Sequence, residues 1–91
     1  MQRLDGIVLT PRGWVLGALA AGADGRIAGV EGSPFDAARV RDAGLPVVLP
    51  GFIDVHVHGV EGHDTLDNGW PIAAIAERQP RHGVTAFCPT T

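Results

Sequence analysis

The sequence predicts an α/β protein in two parts: a β-rich antiparallel segment over residues 1–47, then a β-α-β unit over residues 48–91. Three observations carry this. Up to about Val47, short apolar runs are divided by Pro- and Gly-containing turns. From Val48 the period changes: an apolar run from Phe52 to His58 leads into a polar, glycine-containing loop, Gly59 to Gly69, and then a helical pattern from Trp70 to about Gln79. A last apolar run, Val84 to Cys88, follows Gly83. Strand, a crossover of roughly 25 residues, and strand make a parallel pair with a right-handed connection.

Within the first part, Leu4 to Leu9 reads as a strand closed by Thr10-Pro11-Arg12-Gly13. Trp14 to Ala20 and Arg26 to Val30 are two more, joined by a turn containing Asp24-Gly25, a strong hairpin signal. Glu31-Gly32-Ser33-Pro34 should break the pattern, and Phe35 to Val40 suits one helical turn or irregular chain. Arg39 to Ala43 and Pro46 to Leu49 read as brief strands around Gly44. In the second part, Ile72, Ala73, Ile75 and Ala76 make the apolar face of the helix, with Pro71 tolerated in its first turn. Pro80 ends or kinks that helix, Gly83 turns the chain, and Val84 to Cys88 is expected to be buried.

Composition narrows the class. With 91 residues, the chain suffices for one small domain that buries roughly 60–65% of its unfolded surface. A hydrophobic fraction of 45% argues against disorder. The net charge of −3, with no basic run, argues against nucleic acid or an anionic membrane as partner. Cys88 is the sole cysteine, so no internal disulfide can form, which fits a reducing cytoplasm. The apolar stretch Trp14 to Ala23 is interrupted by two glycines and is too short to span a bilayer. The N-terminus lacks the basic-then-apolar pattern of a signal peptide.

The chemistry gathers in Leu49-Pro50-Gly51-Phe52-Ile53-Asp54-Val55-His56-Val57-His58-Gly59. Side chains alternate faces along a strand, so His56 and His58 share a face and can hold one metal ion. The same parity places Phe52 and Asp54 beside them. Ile53, Val55 and Val57 make an apolar face expected to pack on helices, a pattern that suits a barrel wall. An isolated His-x-His is more often a pair of ordinary histidines. Here it ends a strand that opens a β-α-β unit, where barrel active sites lie. Neutral imidazoles suit Zn²⁺, Fe²⁺ or another divalent first-row metal. Two ligands are too few to hold an ion firmly, so the remainder must come from beyond Thr91.

Pro50-Gly51-Phe52-Ile53-Asp54-x-His56-x-His58 resembles the opening signature of the amidohydrolase superfamily. Gly59-x-x-Gly62-x-Asp64 and the run His82-Gly83-Val84-Thr85-Ala86-Phe87-Cys88-Pro89-Thr90-Thr91 narrow the resemblance to its N-acetylglucosamine-6-phosphate deacetylase family, at the N-terminal end. The resemblance implies a small β-sandwich, completed by strands from the far C-terminus, and a distorted (β/α)8 barrel. Such a barrel needs about 250 residues, or at least about 200. Residues 1–47 are then a partial β-sandwich, residues 48–91 the first β-α-β of an incomplete barrel, and the chain an inactive N-terminal piece of a longer protein.

The resemblance further implies a cytoplasmic, metal-dependent amide hydrolase of amino sugar metabolism. It would convert N-acetylglucosamine 6-phosphate to glucosamine 6-phosphate and acetate, and act as a homo-oligomer. In the family the catalytic residue is an Asp at the end of the last barrel strand, which would lie beyond Thr91. Some members carry amide side chains in place of the His-x-His pair and keep one metal, held by a Glu and two His later in the chain. Members with both histidines, as here, look able to hold a second, so one or two ions are implied.

Other polar residues have plainer readings. Asp54 suits a carboxylate held by hydrogen bonds inside a barrel better than one orienting a ligand. His63 and Asp64 lie in the loop after the strand; a solvated pair suits them better than substrate contact. His82 suits a helix C-terminal cap, and Cys88 a small buried hydrophobe. Thr90 and Thr91 should sit at the top of the second strand, near the site. No glycine pattern cradles phosphate, so a sugar phosphate would need Arg, His or Asn donors from elsewhere. Two rival readings stand: another amidohydrolase (dihydroorotase, hydantoinase or deaminase type), and a noncatalytic β-rich module with incidental histidines.

Overall fold

The computed structural model describes residues 2–91 and is mixed α/β, mostly strands with one α-helix. It falls into two compact units, divided between Pro50 and Gly51.

The first unit is a four-stranded sheet. Its strands are β1 (Gln2–Thr10), β2 (Gly13–Ala21), β3 (Ile27–Pro34) and β4 (Val47–Val48), in the order β3-β2-β1-β4. β1 and β2 pair antiparallel from Gln2↔Ala21 to Thr10↔Gly13, which leaves Pro11 and Arg12 as the turn. The Thr10 hydroxyl closes that turn by donating to the Gly13 carbonyl at 2.7 Å. Between β2 and β3, Gly25 takes the left-handed φ of 78° that the Asp-Gly signal anticipated, and the Asp24 carboxylate accepts the Arg26 amide. Ile7, Val8 and Ala18 form the buried core of this unit, on the two central strands.

Three expectations for this unit are corrected. β3 runs through Glu31-Gly32-Ser33 to Pro34 and does not stop at Val30. Gly32 extends it because it faces Gly17, which in turn faces Gly6: three glycines in a row across the sheet. A Cβ at Gly17 would strike the Glu31 backbone, and one at Gly32 the Leu16 backbone, so neither position has room for a side chain. Second, the sheet is not purely antiparallel, because β4 joins β1 in parallel at Ile7↔Val47 and Val8↔Val48. Residues Ala37–Arg39 form one 3-10 turn, capped by the Asp36 carboxylate on the Ala38 amide, and Arg39 to Ala43 is turn, not strand.

The second unit contains β5 (Phe52–Val57), β6 (Gly59–Val60), β7 (His63–Asp64), α1 (Pro71–Arg78), a 3-10 turn (Gln79–His82) and β8 (Val84–Pro89). β5 and β8 are parallel neighbours with α1 in the connection, as the crossover length predicts. Gly83 turns the chain at φ 79°, its amide bonding back to the Gln79 and Pro80 carbonyls, and its own carbonyl accepts the Phe52 amide at 2.7 Å. The helix begins with Pro at its first position.

Four local expectations change here. The loop after β5 is not irregular throughout, because β6 and β7 form a tight antiparallel hairpin. Both residues of its two-residue turn, Glu61 (φ 50°) and Gly62 (φ 82°), are left-handed, as a primed hairpin turn requires. α1 packs on this hairpin and on the following 3-10 turn. Its inward stripe is Pro71, Ala74, Ile75, Arg78 and Gln79, spaced i, i+3, i+4, i+7, i+8, so Ile72, Ala73 and Ala76 lie on the exposed side. Consequently the apolar face of β5 is left uncovered: Ile53 is 69% and Val55 73% exposed. Cys88 is likewise exposed, and β8 shows only Val84 and Phe87 half-buried.

Candidate metal centre

His56 lies near the end of β5 and His58 just past it. Their exposed imidazoles meet edge to face, with ring centroids 5.0 Å apart and planes inclined by 69°. The two Nε2 atoms are 3.2 Å apart. Two nitrogens bound ~2.05 Å from one tetrahedral ion sit ~3.3 Å apart, so the pair fits a shared divalent metal. In a metal-free protein the same spacing is an N–H···N hydrogen bond between one protonated and one bare Nε2. Among the described residues, no group of three or more His, Cys, Asp or Glu is placed to hold an ion, so the donor set here is two imidazoles.

Asp54 is half-buried, and its carboxylate accepts the His56 backbone amide at 3.1 Å. It therefore shapes the strand that presents His56. The β5–β8 ladder shifts register between Asp54 and Val57, so a local turn of the Asx kind replaces the regular pairing there.

His63 is half-buried and pairs with Val60 across the hairpin. Asp64 is occupied by its own loop. Its carboxylate accepts the Leu66 amide at 2.8 Å, while its amide donates to the Asp67 carboxylate at 2.9 Å. Neither residue is brought to the imidazole pair by any hydrogen bond of the structure. His82 does not act on helix carbonyls; its Nε2 lies 3.1 Å from Glu61 Oε2, and Arg81 reaches Glu61 Oε1 at 3.3 Å.

Two residues escape the sequence reading. Glu61 ties the hairpin to the 3-10 turn. Thr65 donates its amide to the His58 carbonyl at 2.8 Å and its hydroxyl to the Thr90 carbonyl at 2.6 Å. Thr90 does sit beside the end of β5, its amide bonded to the Val57 carbonyl at 2.8 Å. The Glu61-Gly62 pair between Val60 and His63 was the available signal for the hairpin; nothing in the sequence marks Thr65.

An open groove in the first unit is lined by Arg3, Ala20, Ala28, Val30 and Glu31. Its cation is already engaged, because Arg3 pairs with Glu31 at 2.7 Å and with Asp5 at 3.0 Å. These carboxylates, Glu31 foremost, hold the guanidinium pKa above its ordinary value.

Two exposed imidazoles with Nε2 atoms 3.2 Å apart, at the end of a strand in a β-α-β unit, offer a divalent ion two donors. Comparison with known proteins gives the particular likeness, to amino-sugar phosphate deacetylases. The chain is 45% identical over 74 residues to N-acetylglucosamine-6-phosphate deacetylase of Rattus norvegicus, a match covering 72% of this chain and 18% of that protein. The Homo sapiens protein of the same name matches with the same identity and coverage. N-acetylgalactosamine-6-phosphate deacetylase of Escherichia coli O157:H7 is 38% identical over 85 residues, covering 92% of this chain and 22% of that protein. The resemblance read from the sequence is borne out, and the chain spans about a fifth of the length of these curated relatives. No family model matches the chain, and no solved structure matches it significantly.

Proposed function

We propose that these 91 residues supply the first strand, and part of the metal site, of a metal-dependent deacetylase acting on N-acetylglucosamine 6-phosphate. The observation that carries the reading is the 3.2 Å approach of the His56 and His58 Nε2 atoms, in a segment similar to named deacetylases. In this reading β1 to β4 form part of a sandwich, and β5, α1 and β8 open a (β/α)8 barrel. His56 and His58 would hold the ion through their facing Nε2 atoms. Asp54 holds the His56 backbone in place. Held there, a divalent ion would lower the pKa of its bound water and polarise an amide carbonyl. Among the described residues no third His, Cys, Asp or Glu joins that pair, and in this reading the group that carries a proton to the leaving amine comes from elsewhere in the full protein.

A galactosamine substrate is the second reading, favoured by the E. coli relative, whose match covers 92% of this chain. We place the whole protein in the cytoplasm as a homo-oligomer, as the family resemblance implies.

The test uses the full protein that carries this segment. Acetate release from N-acetylglucosamine 6-phosphate and from N-acetylgalactosamine 6-phosphate is measured before and after chelation. Release that stops on chelation and returns with metal is the expected result. Activity on a cyclic amide instead, or on neither sugar, would overturn the assignment.

A further inference from the structure

We propose that Thr65 is a positioning residue for His58, an inference that rests on the metal-site reading above. The direction of a side chain is set by the two peptide planes that flank its Cα. At His58 both planes are pinned. The Val57 carbonyl, in the plane before it, accepts the Thr90 amide at 2.8 Å. The His58 carbonyl, in the plane after it, accepts the Thr65 amide at 2.8 Å. The Thr65 hydroxyl joins the two anchors by donating to the Thr90 carbonyl at 2.6 Å.

The circuit Val57–Thr90–Thr65–His58 thus closes around one Cα, and only the two side-chain torsions of His58 remain free. This matters because β5 ends at Val57, so no strand ladder holds His58. Its imidazole is also exposed, so packing does not fix it. Gly59 completes the arrangement: a Cβ there would strike the His63 backbone, so the hairpin closes directly behind His58.

The hydroxyl is the residue's specific contribution. Thr65→Val keeps the shape and the backbone amide, but breaks the link to Thr90 and leaves a part-buried carbonyl without its donor. Thr65→Ser keeps the link.

The test titrates the 91-residue chain with Zn²⁺ alone, and follows the His58 ring signals of the metal-free protein by NMR. Thr65→Val is expected to bind Zn²⁺ about tenfold more weakly, the low end of what loss of a supporting partner costs a metal site. Thr65→Ser should restore binding. His58 ring signals should shift or broaden in Thr65→Val while those of His82 stay put. Thr65→Ala removes the same hydroxyl without overpacking and replaces the valine variant if that one does not fold.

Wild-type Zn²⁺ affinity together with unshifted His58 signals in Thr65→Val would overturn the proposal, as would failure of serine to restore them. A His56→Ala, His58→Ala control that binds Zn²⁺ as tightly as wild type would sink the metal reading instead. The ring signals of metal-free Thr65→Val would still decide the positioning role.

Discussion

Glu61 Oε2 lies 3.1 Å from His82 Nε2, joining residues 21 apart in sequence. With Arg81 on its other oxygen, Glu61 fastens the β6–β7 hairpin to the turn that follows α1. It does so from a left-handed φ of 50°, a conformation that costs a non-glycine residue about 1–2 kcal/mol. An exposed ion pair returns only about 0.2–1 kcal/mol. Glu61→Ala keeps the backbone penalty and loses the pair, so it should lower the denaturant midpoint. Glu61→Gly loses the pair but relieves the strain, and should lower it less or raise it. A glycine variant less stable than the alanine variant would contradict this balance.

Ile75 is fully buried in α1, against the hairpin and the following turn. Ile75→Ala removes the central apolar side chain of the second unit. A loss of about 2–5 kcal/mol is expected. Hydrogen exchange read unit by unit should show protection lost in α1, β5 and β8. An effect spread equally over β1 and β2 would contradict the division of the chain.

Gly17 sits at the middle of the glycine row, between Gly6 and Gly32. Gly17→Ala drives a methyl group into the Glu31 backbone, which cannot give way as a flexible side chain would. β3 should detach, with exchange protection lost from Val30 to Ser33 while the β1–β4 pairing persists. A variant with β3 fully protected would show that the position has room for a side chain.

The apolar residues Phe52, Ile53 and Val55 leave β5 largely uncovered. An exposed apolar patch on a short two-stranded sheet invites association. Light scattering should show concentration-dependent self-association of the 91-residue chain, reduced by Val55→Lys. A monomer at millimolar concentration would count against it.

Legibility followed how local each cause is. The β1–β2 and β2–β3 hairpins, the helix start at Pro71 and the turn at Gly83 all rest on residues within one turn of each other, and all were readable. So was the parallel pairing of β5 with β8, because crossover length carries it. The continuation of β3 is not legible, because Gly32 is a strand residue only where Gly17 faces it, and a glycine read alone signals a break. The helix face is hidden for a similar reason. Ile72 and Ala73 are apolar, but the partner of α1 is a hairpin hidden in a polar loop, so the inward stripe includes Arg78 and Gln79. At the site, strand parity suffices to bring His56 and His58 together. The roles of Glu61 and Thr65 depend on contacts with Arg81, His82 and Thr90, which no spacing rule connects.

The most direct test of the metal site is elemental analysis of the full protein with both histidines replaced. His56→Ala with His58→Ala should lower the metal-to-protein ratio, because the two Nε2 atoms 3.2 Å apart serve one ion. The 91-residue chain should bind that ion only weakly, through two ligands. An unchanged ratio in the double variant would mean that the pair is a hydrogen-bonded contact and no metal site.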